Sequence, residues 1–238
     1  MRRETANVLL LLLGGCLLKL VWTGDYLRYV KPQHRWWLIG AGLIVVMLAG
    51  VAIWRDMRGA SVGTDGGHSH GTARSAWLLL VPALAGLIVA PPALGADSVA
   101  RSLDTGTRQV DPAEIEAYPP LPAGEVTPMP ISQFHARATW DKGRTLVGRQ
   151  VRLTGFVVRQ GERTYVARVV IGCCAADGYP VPVRLVGDAP MLRTLRDDEW
   201  IQVVGRYRPP RDATRARAPE IAVDLLRRVP EPEDPYEY

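Results

Sequence analysis

Residues 36–54 read WWLIGAGLIVVMLAGVAIW, nineteen positions without a charged side chain. A chain immersed in hydrocarbon must satisfy its backbone N–H and C=O groups internally, which makes such a run a helix. Its length falls within the roughly 17 to 25 residues that cross a bilayer. Trp36, Trp37 and Trp54 bracket it, where aromatic side chains meet a lipid–water interface. Gly40, Gly42 and Gly50 would weaken a helix in water but are common in membrane helices. The segment is therefore expected to span a membrane.

Two further spans are expected beside it. Residues 6–22, ANVLLLLLGGCLLKLVW, carry one charge, Lys19, close enough to the Trp22 end to snorkel. Arg2 and Arg3 before this run raise a signal peptide as the rival, but the bulky WTGDYLRYVKP behind it offers no small-residue cleavage site. Residues 76–94, AWLLLVPALAGLIVAPPAL, make the third span, loosened at Pro82 and ended by Pro91-Pro92. The ALGAD that follows leaves cleavage near Ala96 as a minor alternative. Trp22, Trp36, Trp37, Trp54 and Trp77, five of the seven tryptophans, fall at the expected span ends. Residues 1–96 are thus expected to form a three-helix, multi-pass transmembrane region whose first partner is the lipid bilayer. Basic residues divide evenly between its two sides. The pair Arg55 and Arg58 against the second span tips the orientation to N-terminus inside, with the C-terminal domain extracytoplasmic.

Between the second and third spans, SVGTDGGHSHGTAR carries His68 and His70. Two imidazoles at this spacing suit a borderline cation such as zinc if other ligands join, and otherwise mark a polar linker. The formal net charge of +5 comes from scattered arginines rather than basic runs, so solvation is its first reading. Three cysteines do not build a disulfide framework. No phosphate-binding glycine loop, zinc-protease motif or nucleophile elbow is present, and no nucleophile–base arrangement is visible. The chain is read as something other than an enzyme.

Residues 97–130 are rich in proline and acids and are expected to be an extended linker without a core of its own. From Ile131, ISQFHARATWDKGRTL fits a short amphipathic helix with Ser132 as N-cap and with Ile131, Phe134, Ala138 and Leu146 facing inward. His135 on this helix is read as a surface residue. The apolar period then changes from 3.6 to 2. Strands are expected at 150–159, with a register shift and bulge near Gly155, and at 163–171, 181–187, 199–207 and 220–226. A short helix at 189–195 separates the third from the fourth. That order suits an all-β, OB-like barrel over 131–238. Such a barrel often binds single-stranded nucleic acid, and Tyr165, Tyr179 and Tyr207 among arginines could be drawn that way. A domain tethered outside the cytoplasm makes nucleic acid an unexpected partner.

The chemistry concentrates in IGCCAADGYPVP, residues 171–182. Neighbouring side chains on a regular strand point to opposite faces, so at most one of Cys173 and Cys174 could pack inside a barrel. A disulfide between them is strained, because adjacent Cα atoms stand ~3.8 Å apart, under the usual ~4.4–6.8 Å. Two thiolates with Asp177 or a remote histidine could hold zinc or copper, provided the chain leaves strand geometry there. Structural, redox and metal roles all stay open on spacing alone.

Apolar spans, a histidine-bearing loop, a proline-rich tether and the segment VVIGCCAAD together resemble the YcgQ-like bacterial membrane proteins. The most specific part is Cys-Cys-x-Ala-Asp, matched by Cys173, Cys174, Ala176 and Asp177; the ending PEDPYEY, with Pro235 and Tyr236, is also similar. The resemblance implies a permease subunit in the bacterial cell membrane, paired with a larger integral-membrane permease, and a tie to zinc. It brings no established activity.

Overall fold

The computed structural model describes residues 3–58, 92–105, 118–187, 190–209 and 218–238. The chain divides into two units, Met1–Pro92 and Ala93–Tyr238.

In the first unit, α1 (Arg3–Thr23) and α2 (Arg35–Met57) are long and apolar enough to cross a membrane. They run antiparallel, so that the Asn7 amide near the start of α1 donates to Asp56 near the end of α2 at 3.0 Å. Close approach depends on glycine. A methyl group on Gly14 would stand 2.7 Å from the Val46 side chain, and one on Gly42 would stand 3.0 Å from Leu18. Leu13, Leu43, Ile44, Met47 and Leu48 are exposed, so the pair presents an apolar outer surface suited to membrane association. The described residues hold two such helices, not three. The expected third span, 76–94, lies outside them except for Pro92, Ala93 and Leu94, of which the last two pack on the second unit's core.

The second unit is a mixed β-sheet domain. Its strands are β1 (Thr127–Pro128), β2 (Gln150–Gln160), β3 (Arg163–Val170), β4 (Tyr179–Val186), β5 (Trp200–Arg208), β6 (Glu220–Arg228) and β7 (Tyr236–Glu237). The spatial order is β1-β2-β5-β6-β4-β3-β7, with β2 also pairing β3. The β4–β6 pair is parallel, as are the two-residue additions β1 and β7, and the remaining pairs are antiparallel.

The expected register shift at Gly155 is absent. Pairing of β2 with β5 runs unbroken from Gln150 to Phe156, and the bulge lies instead at Val204/Gly205 on β5. The sequence pattern misled because β2 is buried on both faces. Val151, Leu153 and Val157 keep one parity and enter the main core, while Phe156 and Val158 enter a second one. Gly155 itself admits a close neighbour: an added methyl group would collide with the Ala167 carbonyl and with Ile131.

That second core is closed by α3 (Ala96–Thr105), inside the segment expected to be a bare tether. Ala96, Val99 and Leu103 lie one turn apart along the helix and are buried against Tyr165, Ala167 and Trp200. Fully burying side chains such as Val99 and Leu103 contributes about 1.5–3 kcal/mol each, more than a ten-residue helix could gain from propensity alone. The Asp198 carboxylate, from the loop before β5, accepts the Ala96 N–H at 2.6 Å and supplies the cap. Leu121 and Met129, from the same expected linker, enter the main core.

A fourth helix, α4 (Ile131–Thr139), buries Ile131, Phe134 and Ala138 as expected, and Leu146 follows in a short 3-10 turn. Its cap differs from expectation. Ser132 is inside the helix, and the Glu237 carboxylate accepts the N–H groups of Ile131 and Ser132, each at 2.8 Å. Arg168, largely buried, donates to the carbonyls of Asp234 (3.3 Å) and Tyr236 (3.0 Å) and so fastens β7 beside β3.

Candidate functional site

Strand β3 ends at Val170, which pairs with Tyr179 at the start of β4. The eight residues between them carry the cysteines. Ile171 is buried, and its N–H donates to the Glu237 carbonyl at 3.0 Å, so β7 braces the entry to the loop. The chain then leaves strand geometry. Cys174 is extended and caps a 3-10 turn, Ala175–Asp177.

Asp177 organises the loop. Its Oδ1 accepts the Gly172 N–H at 2.7 Å, and its Oδ2 accepts the N–H groups of Cys173 at 2.7 Å and Cys174 at 3.4 Å. The Cys174 side chain in turn accepts the Asp177 N–H, which completes a capping box. Gly172 leaves the room this needs, since a methyl group there would stand 3.1 Å from the carboxylate. Gly178 is equally confined, 3.1 Å from the Ala175 carbonyl, Leu94 and Val169 on the same test.

The two thiols are free, Cys173 exposed and Cys174 half-buried. The Cys173 thiol donates to Asp177, and this bond, followed by the contact with Cys174, pushes its pKa up to about 11. The same bond, joined by the Cys173 backbone N–H, pulls the Asp177 carboxyl down to about 2. The donor atoms of Cys173, Cys174 and Asp177 all lie within 4.8 Å of one another. Two sulfurs and one carboxylate oxygen on an exposed loop form a donor set suited to a thiophilic cation, with coordination positions left for water or a further ligand.

Of the residues singled out by sequence, the fold thus brings Cys173, Cys174 and Asp177 together. His68 and His70 lie outside the described residues. His135 is half-buried rather than superficial, and burial pushes its imidazole down to about 4. From sequence, Gly172 and Gly178 are expected to let the chain leave strand geometry, but the hold of the Gly172 N–H on the carboxylate was overlooked. The signal was available: Cys174 and Asp177 stand at the N-cap-to-N3 interval of a capping box.

A DUF1980 C-terminal domain is found at residues 141–238, which include the whole cysteine loop. No curated protein matches the chain. Among solved structures, asparaginyl-tRNA synthetase from Pyrococcus horikoshii is similar at 21% identity over 38% of this chain, with a TM-score of 0.23. This holds for its complex with asparaginyl-adenylate and for a second crystal structure of the enzyme. The match spans 22% and 23% of those two chains.

Proposed function

We propose that this chain is a metal-handling accessory subunit of a membrane permease complex. Its N-terminal helices anchor it in the bacterial cell membrane, and its sheet domain presents a zinc-class site outside the cytoplasm. The observation that carries this reading is the convergence of Cys173, Cys174 and Asp177 within 4.8 Å on one exposed loop. Zinc held there would be a Lewis-acidic cargo or structural ion, with Cys173 and Cys174 as thiolate ligands and Asp177 as carboxylate ligand. Strand pairing supports an OB-like barrel as the frame, because the ladder β2-β5-β6-β4-β3 returns to β2. A subunit role is favoured over transport by the chain alone, since Lys19 is the single charge within residues 6–22 and 36–54 has none. The larger permease supplies the path.

The rival is a stand-alone thiol-redox protein. A reactive cysteine is usually a thiolate with a lowered pKa, and the Cys173 thiol is shifted the other way. A metal, by contrast, displaces the proton as it binds, and would replace it between the Cys173 sulfur and the Asp177 carboxylate, which the backbone N–H groups keep in place. The test uses the full chain in mild detergent, with zinc content measured after equilibration and desalting. The expected result is one zinc per chain, lost in Cys173→Ser, Cys174→Ser and Asp177→Asn. Equal zinc in all four proteins would remove the metal reading. Co-purification with a larger membrane protein and silence of the chain alone in liposomes are the expected results for the subunit role.

A further inference from the structure

On the same domain, but on different loops, lies a cleft of about 280 Å³. It is walled by the β2–β3 turn, the end of β4 and the Pro190–Thr194 turn, and four arginines line it: Arg159, Arg163, Arg184 and Arg193. We propose that this cleft binds a phosphate-bearing small ligand.

Two of the arginines are already fixed in place. Arg184 donates to Glu220 at 2.9 Å, and Arg159 donates to the Leu195 carbonyl at 3.2 Å while its backbone N–H donates to Asp197. They frame the cleft and retain donors for a ligand, since a guanidinium carries five N–H groups. Arg163 and Arg193 are exposed and have no ion pair among the described residues. Among the described residues the lining holds one carboxylate, Glu162. With Arg184 paired to Glu220, three guanidiniums around this small space have no ion pair among the described residues, and an oxyanion that accepts paired N–H bonds offsets their repulsion. The size suits a phosphate or pyrophosphate group rather than a large ligand, being at the lower edge of the roughly 300–1,000 Å³ of drug-sized pockets. Among the described residues no aromatic ring lines the cleft, which argues against the stacking platform by which single-stranded nucleic acid is held.

The phosphate could belong to a soluble metabolite or to a lipid headgroup, and two arms separate them. In the first, the full chain in phosphatidylcholine nanodiscs is titrated with inorganic pyrophosphate by calorimetry. In the second, the same particles are sedimented with vesicles containing phosphatidic acid. Binding in the first arm identifies a free phosphate ligand; binding in the second arm alone identifies a headgroup. In either case the double variant Arg163→Ala/Arg193→Ala is expected to weaken binding by at least about tenfold, the scale of lost hydrogen bonds to a charged group. Glu162→Gln is expected to tighten it. All three side chains are exposed, so the fold tolerates the changes. Arg149→Ala/Arg227→Ala removes the same charge outside the cleft and is expected to leave affinity within about twofold, given screening over a ~8–10 Å Debye length. Absence of binding in both arms, or an equal loss in the control variant, overturns the proposal.

Discussion

At Cys173, a proton and a metal compete for the same sulfur. The proton is favoured while Asp177 accepts it, which is why the thiol titrates near 11 and the carboxyl near 2. Replacing the carboxylate with an amide removes the negative acceptor but keeps an oxygen for the backbone N–H groups. In metal-free Asp177→Asn, iodoacetamide is therefore expected to alkylate Cys173 at pH 8 at least about tenfold faster, following the thiolate fraction. Mass spectrometry of the labelled peptide reads this out, and an unchanged rate would show that the carboxylate does not hold the thiol. His135 makes a second prediction. Its imidazole is neutral in the fold down to about pH 4, whereas in the unfolded chain it takes up a proton near 6.5. Between those values the unfolded state binds more protons, so stability falls as pH is lowered from about 6.5 toward 4. His135→Gln is expected to flatten that slope in urea midpoints measured at pH 7 and pH 5.

At the scale of elements, two helices depend on carboxylates far away in sequence. Glu237 caps α4 across 106 and 105 positions, and Asp198 caps α3 across 102. Glu237→Ala and Asp198→Ala are each expected to cost about 0.5–2 kcal/mol, the usual value of an N-cap, visible as lowered thermal midpoints of the full chain in detergent. Such distances explain what was readable beforehand. The five long strands were legible to within two residues because alternation is a local signal, and α4 was legible from Ile131, Phe134 and Ala138. Ser132 drew the capping assignment because a local cap is all that sequence displays. Helix α3 was missed because its apolar positions, Val99 and Leu103, sit among serines and the charged Asp97, Arg101 and Asp104, in a stretch that continues into proline-rich chain. They acquire meaning only from the second buried face of β2 and β3, more than fifty residues on. The cysteine loop was legible in its ligand types, while the interval of the capping box that gathers them was present in the sequence but gains meaning only because the strand stops at Val170.

At the scale of the whole molecule, the described residues comprise a helix pair and a sheet domain, and the sheet domain starts earlier than its sequence pattern indicates. A fragment covering residues 131–238 keeps every long strand but lacks α3, leaving Phe156, Tyr165 and Trp200 uncovered. That fragment is expected to aggregate in size-exclusion chromatography, while residues 93–238 run as a soluble particle. If the shorter fragment is equally soluble, α3 is dispensable and the second core is marginal. The position of α3 also separates two kinds of unit that usually coincide. The DUF1980 C-terminal domain match, residues 141–238, begins after both helices that pack on the sheet. The region matched by the family is therefore shorter than the structural unit, Ala93–Tyr238, whose second core takes its cover from outside the match.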